Sequence, residues 1–211
     1  MASRFARTTF GTGRLACAAA VAISLVARYL WSAAWIDPAN FFAYLTIQSN
    51  IAFVVVSTIG GVIALRSGLD HPRLDAARVL VLTYVVTAGI VFALIVQQSG
   101  ARGVRIDVSW SDVALHFILP VVALADWMLS PRRTRVSFRA LAWVAGYPIV
   151  WGGITMLRGP IVNWYPYYFL DPGQVSDPLE FVTLSGLALA VFLAVGTLLL
   201  VAKPIGGARG T

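Results

Sequence analysis

Charge is what this sequence has least of. Only 12% of its 211 residues are Asp, Glu, Lys or Arg, about half the share of an ordinary soluble domain, which is roughly 25%. Too few charges remain to cover the surface of a soluble domain that is 59% hydrophobic. Cysteine occurs once, as Cys17, which excludes an intrachain disulfide and a thiolate zinc site. Lysine also occurs once, as Lys203, and histidine twice. There is no internal repeat of the kind that marks many transporters and no low-complexity tract. Disorder and collagen-like structure are excluded by the same composition. What is abundant is apolar sequence, with a mean hydropathy of +0.80. The chain therefore reads as an all-α, polytopic integral membrane protein, a single domain over residues 1–211.

A helix needs about 20 apolar residues to cross a hydrocarbon layer of about 30 Å. Six stretches qualify: Leu15–Trp35, Phe42–Leu65, Val79–Gln97, Trp110–Leu129, Ala140–Leu157 and Leu179–Ala202. The first is preceded by arginines, as a secretory leader would be. It runs on through Tyr29, Trp31 and Trp35, an aromatic interface anchor rather than a small-residue cleavage site.

The net charge of +7 would suit a nucleic-acid partner. The basic residues, however, sit in short segments between apolar runs, so we read them as a topology signal and expect no nucleic acid. Arg4, Arg7, Arg14, Arg66, Arg73, Arg78, Arg132, Arg133, Arg135, Arg139, Lys203 and Arg209 fall on one side, against Arg102, Arg105 and Arg158 on the other. That asymmetry predicts cytoplasmic termini. Arginine in place of lysine, with many Ala, Val and Gly, fits a GC-rich bacterial genome and hence a bacterial plasma membrane.

Polar groups at membrane depth are costly and are functional candidates by default. Span 2 carries Thr46, Ser49, Asn50, Ser57 and Gly61 at three- and four-residue steps, hence on one face. Ser57 and Gly61 read as a helix–helix seam; for Thr46 and Asn50 a seam and a site stay open. Span 4 carries His116 followed by Pro120. Proline removes the donor for the His116 carbonyl, so a kink with a compensating donor or a cavity is expected. Thr46 and His116 both lie roughly 7–9 Å below the same end of their spans, a level at which a hydroxyl and an imidazole can form a nucleophile–base pair.

Asp112, one turn before His116, either orients that ring as the third member of a triad or is a solvated interface acid. Asp126 is too far from His116 to orient it and reads as structural. Arg28, in span 1, is a snorkelling arginine, a structural pair with Asp112 or Asp37, or an anion site for a substrate carboxylate. Thr83, Tyr84, Thr87, Tyr147 and Trp151 read as packing and pocket-wall residues. The segment Arg158–Pro178 is either an aromatic interface belt or a rigid lip over a lipid-facing pocket. No cofactor or metal is expected.

Several of these residues fall into a familiar order: Tyr44-Leu45-Thr46-Ile47-Gln48-Ser49-Asn50, then His116 and Asp126 bracketing Pro120, then Gly146-Tyr147-Pro148-Ile149-Val150-Trp151, then Trp164-Tyr165-Pro166-Tyr167-Tyr168-Phe169-Leu170-Asp171. Together they resemble the FAR-17a/androgen-induced membrane protein family and its bacterial branch, usually labelled Pr6Pr, over nearly the whole chain. The resemblance implies six helices with cytoplasmic termini. For the characterised animal members it implies hydrolysis of fatty acid esters of hydroxy fatty acids by a membrane-embedded threonine and histidine, matched here by Thr46 and His116. The bacterial branch reads Gln48-Ser49-Asn50 where the animal proteins differ. The expected function is an intramembrane lipid esterase with Thr46 as nucleophile, His116 as base and Asn50 as a candidate oxyanion donor, with Asp112 and Arg28 in support. Its partner would be a membrane lipid or lipid-like substrate. Two alternatives remain: a non-catalytic lipid or small-molecule binding or transport protein, and a structural membrane protein in which these residues are seam hydrogen bonds.

Overall fold

The computed structural model describes residues 4–66, 71–101, 106–130 and 133–205, and it is built of helices. In chain order these are α1 (Arg4–Ser32), the short α2 (Pro38–Phe41), α3 (Leu45–Arg66) and α4 (Pro72–Ala101). A composite span follows, made of α5 (Trp110–Val113), a π-helical turn (Ala114–Ile118) and α6 (Leu119–Leu129). Next come α7 (Ala140–Val162), a 3-10 turn (Tyr168–Leu170) and α8 (Pro178–Val201). Six of these segments are long and apolar enough to cross a membrane, as the sequence led us to expect. The even number of crossings puts the start of α1 and the end of α8 at one end of the bundle, the terminal end. The α1–α3, α4–α5 and α7–α8 connections lie at the far end. Arg102, Arg105, Arg132 and Arg209, which entered the expected orientation, lie outside the described residues.

Side-chain caps set the starts of α2, α5 and α8. Asp37 caps α2, its carboxylate accepting from Ala39 N at 2.8 Å, with Pro38 in the first turn. Asp177 does the same for α8 through Glu180 N at 2.8 Å, ahead of Pro178. Helix α7 ends on Asn163 in the left-handed region (φ 51°, ψ 42°), and Trp164 N closes back on Gly159 O at 3.2 Å.

Helix α1 packs along α3 more extensively than any other pair. Gly11 and Gly61 allow it: a Cβ on Gly61 would lie 2.9 Å from Gly11 O and 2.7 Å from Leu15 Cγ. The seam expected at Gly61 is therefore real, with backbone against backbone. At the other extreme, α7 shows its surroundings Trp143, Leu157 and Ile161, the last 84% exposed. In a chain of this composition such a face meets lipid.

Two helix starts come well before the expected ones. Helix α4 begins at Pro72 rather than Val79, so that Arg73 and Arg78 are inside it. Helix α1 begins at Arg4 rather than near Leu15, so Arg7 and Arg14 are inside it. Tertiary partners explain the difference at α1. Arg7 Nη2 caps the end of α3 through the carbonyls of Leu65 and Arg66 at 2.8 and 2.7 Å. Arg14, 5% exposed, is ion-paired in the bundle.

Candidate functional site

The far end of the composite span is organised by Ser109. Its Oγ accepts from Asp112 N at 3.2 Å, and Asp112 Oδ2 accepts from Ser109 N at 3.1 Å and Ser109 Oγ at 2.9 Å, a complete capping box. The other carboxylate oxygen, Oδ1, meets Arg28 Nε at 2.8 Å. Asp112 is 2% exposed. It is therefore neither a solvated interface acid nor the third member of a triad, because both carboxylate oxygens are engaged away from His116. What orients the ring is the main chain of the same residue: His116 Nδ1 lies 2.9 Å from Asp112 O. Nδ1–H donates to that carbonyl, so in the neutral ring it is Nε2 that carries the lone pair. Phe92 stacks on the ring, with centroids 3.9 Å apart and planes 13° apart.

Pro120 has the expected consequence in a form the sequence did not specify. With no N–H at Pro120, the carbonyl of His116 has no α-helical donor. The chain widens into a π turn here, and Leu119 N bonds to Ala114 O. Gly89 of α4 lies directly against the freed carbonyl: a Cβ added there would be 2.1 Å from His116 O. Gly89 is thus a site residue that sequence reasoning missed. Nothing distinguishes it in an apolar helix until its neighbour across the bundle is known.

Thr46 is the second residue of α3 and is 8% exposed. Its Oγ1 lies 3.4 Å from the hydroxyl of Tyr167, not beside His116, so the expected nucleophile–base hydrogen bond is not made. Asn50 is not positioned as an oxyanion donor. It is 1% exposed, and its Nδ2 donates to Thr46 O at 2.9 Å, a bond within α3 that turns it away from the cavity described next.

Thr46 and His116 do share a cavity of about 430 Å³ at the far end of the bundle, together with Arg28, Thr87, Trp151 and Tyr167. That volume is within the range of small-molecule sites, roughly 300–1,000 Å³. Ser32, Tyr44, Asp112 and Ser185 also line the cavity, and the rest of its wall is apolar. It follows α8 from Phe181 to Phe192, about 16 Å of helix.

The segment after α7 roofs it. Tyr167 and Phe169 stack with centroids 5.5 Å apart, and Tyr44 meets Trp164 and Tyr167 edge-on. Trp151 Nε1 donates to Ala43 O at 2.9 Å, and Arg158 Nη2 to Asn40 Oδ1 at 2.6 Å. Of the two readings of Arg158–Pro178, the rigid lip is the one the geometry takes. Burial pushes the Tyr167 phenol up to about 12, a rise partly offset by its bond to Thr46. Among the described residues, four buried side-chain polar atoms have no hydrogen-bond partner. Three of them, Arg28 Nη1, Thr87 Oγ1 and Ser185 Oγ, belong to residues of this cavity's wall.

The terminal end carries the other polar cluster. Asp126 takes Arg14 Nε at 3.1 Å on each oxygen and Arg78 Nη2 at 2.6 Å. Arg14 Nη2 also donates to Ser130 Oγ at 2.9 Å. Arg78 Nη1 donates to Asp75 Oδ1 at 3.0 Å, and Asp75 Oδ2 is closed by Thr134 N and Oγ1 at 2.6 and 3.0 Å. The structural role expected of Asp126 is what its geometry describes.

Fold and composition together define a six-helix membrane protein with a roofed, mostly apolar cavity inside one end. No protein-family profile, curated protein or solved structure matches the chain.

Proposed function

We propose that this protein is an intramembrane lipid ester hydrolase of the bacterial plasma membrane, its termini cytoplasmic, with Thr46 as nucleophile and His116 as base. The observation that carries the reading is that both side chains line one apolar cavity, His116 with Nδ1 already committed to Asp112 O and Nε2 left to accept a proton. The resemblance to the FAR-17a/androgen-induced family points to the same two residues. In this reading Thr46 Oγ1 turns from Tyr167 to His116 when substrate fills the cavity. Active-site hydrogen bonds are often made only in the complex.

Nε2 then takes the hydroxyl proton while Oγ1 adds to the ester carbonyl. The tetrahedral intermediate collapses to acyl-threonine, and the leaving alcohol takes the proton back from His116. Water, with its proton passed through the same imidazole, releases the acid. Arg28, rather than Asn50, is the cavity residue available to an anionic oxygen, through Nη1.

A fluorophosphonate probe and a long-chain ester assay test this reading. Labelling at Thr46, with turnover lost in both Thr46→Ala and His116→Ala and no further loss in the double variant, is the expected result. Full turnover in His116→Ala would remove histidine from the mechanism. The second reading, lipid binding without chemistry, is favoured by the Thr46–Tyr167 contact in place of a Thr46–His116 bond. It predicts binding of lipid with neither labelling nor turnover.

A further inference from the structure

The cavity is roofed at the far end, yet its wall is not closed on all sides. Two of its lining residues, Gly153 on α7 and Gly186 on α8, are themselves exposed. A Cβ built on either meets nothing within 4 Å, and the same is true of Gly152 beside them. Side chains are missing there from both helices.

The two positions lie at matching depth. Gly153 is nine residues before the end of α7 at Val162, and Gly186 is eight residues after the start of α8 at Pro178. At 1.5 Å per residue they sit about 14 and 12 Å below the far end, inside a hydrocarbon layer about 30 Å thick. An opening at that depth faces acyl chains rather than water. Inside it the wall holds polar groups with no protein partner: Ser185 Oγ, next to Gly186, and Thr87 Oγ1, on a side chain that is 0% exposed. Unpaired polar atoms in hydrocarbon are expensive, and these two lie on residues of the cavity wall.

We infer that the cavity is loaded sideways, through a gap between α7 and α8 bordered by Gly153 and Gly186. Its ligand is therefore a bilayer-resident amphiphile that enters acyl chain first, not a water-soluble molecule entering from the far end. This rests on the reading of the cavity as a lipid site and adds the route and the physical class of the ligand. The aromatic roof fits the same route: Tyr44, Trp164, Tyr167 and Phe169 pack on one another over the end that a soluble ligand would use.

The test uses the full chain in lipid nanodiscs and cis-parinaric acid, a slender fluorescent fatty acid that accepts excitation from tryptophan. Trp151 lines the cavity, so the part of the transfer lost in Trp151→Phe reports occupancy. Leucine is placed at both Gly153 and Gly186, where a Cβ meets nothing within 4 Å. Gly146→Leu is the control, since Gly146 also has open space at its Cβ but is not in the cavity wall.

The expected result is that Gly153→Leu/Gly186→Leu slows both association and dissociation by about tenfold or more. The control should change neither rate. Parent-like rates in the double variant, with Trp151-dependent binding intact, would overturn the lateral route and leave the lipid site standing. No Trp151-dependent transfer in the parent protein would overturn the lipid site and the route with it.

Discussion

Arg14 and Arg78 at the terminal end and Arg28 at the far end are held in opposite ways, while Arg133 at the terminal end also keeps one nitrogen, Nη1, buried without a partner. At the terminal end Arg14 and Arg78 converge on Asp126, Asp75 and Ser130, and none of their nitrogens is buried without a partner. At the far end Arg28 has one carboxylate, shared with a helix cap, and keeps Nη1 unpaired beside a cavity. A guanidinium has five donors in a fixed fork. Where the fold satisfies them it is making structure. Arg28 and Arg133 each leave one idle, at the cost that buried polar groups carry, and of the two only Arg28 belongs to the wall of the far-end cavity. The contrast teaches that intramembrane charge alone does not mark a site; unsatisfied intramembrane charge is the sharper indicator.

The largest test of that contrast is at Asp126. Asp126→Asn should cost about 3 kcal/mol or more, because two arginines lose their common counter-charge. Thermal unfolding in detergent measures it. A loss below about 1 kcal/mol, the scale of an exposed pair, would break the comparison by showing the cluster to be solvated.

Next comes Gly89→Ala. A Cβ at 2.1 Å from His116 O must move the π turn or α4, and overpacking of this kind costs about 1–3 kcal/mol. Ligand binding should fall with it, since His116 moves. Gly146→Ala, with open space around it, should instead be neutral or stabilise by up to about 1 kcal/mol.

Arg28→Gln should cost less than Asp126→Asn, about 1–2 kcal/mol, because Asp112 keeps both Ser109 donors. It also sharpens the far-end reading. If Nη1 receives a carboxylate, the variant loses affinity for cis-parinaric acid but not for its methyl ester. Equal affinity loss for both would leave Arg28 a structural pair only.

The smallest effect is expected at Tyr167→Phe, about 0.5–1 kcal/mol for one long hydrogen bond to Thr46. With the phenol at about 12 in the fold and about 10 in the unfolded chain, the folded state holds its proton longer. Its contribution is whole below pH 10 and is lost as pH rises through 12. The ultraviolet difference titration between parent and variant should show no tyrosinate at position 167 until above about pH 11. A normal titration near pH 10 would show the roof to be open to water.

What was legible in the sequence followed from chemistry that is local in the chain. The span Trp110–Leu129 is found with both ends as expected, because Ser109 and Asp112 form a cap within four residues. The break at Pro120 was legible for the same reason, since proline removes its own donor. The start of α1 was not, because Arg14 belongs in a helix only if Asp126, 112 residues away, neutralises it. Asp112 illustrates the limit within one residue. Its spacing from His116 correctly put the two on one face, but the contact is made by its carbonyl, while Arg28 and Ser109 hold its carboxylate.

By itself, then, the sequence determined the solvent and the layout: six apolar runs of membrane length, a surplus of arginine between them, and a few polar residues at depth. Hydropathy is additive along the chain, so counting residues is enough to read it. Tertiary structure alone decided that Thr46 faces Tyr167, that Asn50 is spent on its own helix, that Gly89 carries the His116 carbonyl, and that Arg28 is left with an idle donor. Hydrogen bonds are short and directional. Which partner a polar group takes depends on which helices meet, at what depth and in what rotation, and helix–helix geometry is not encoded in any single stretch of residues.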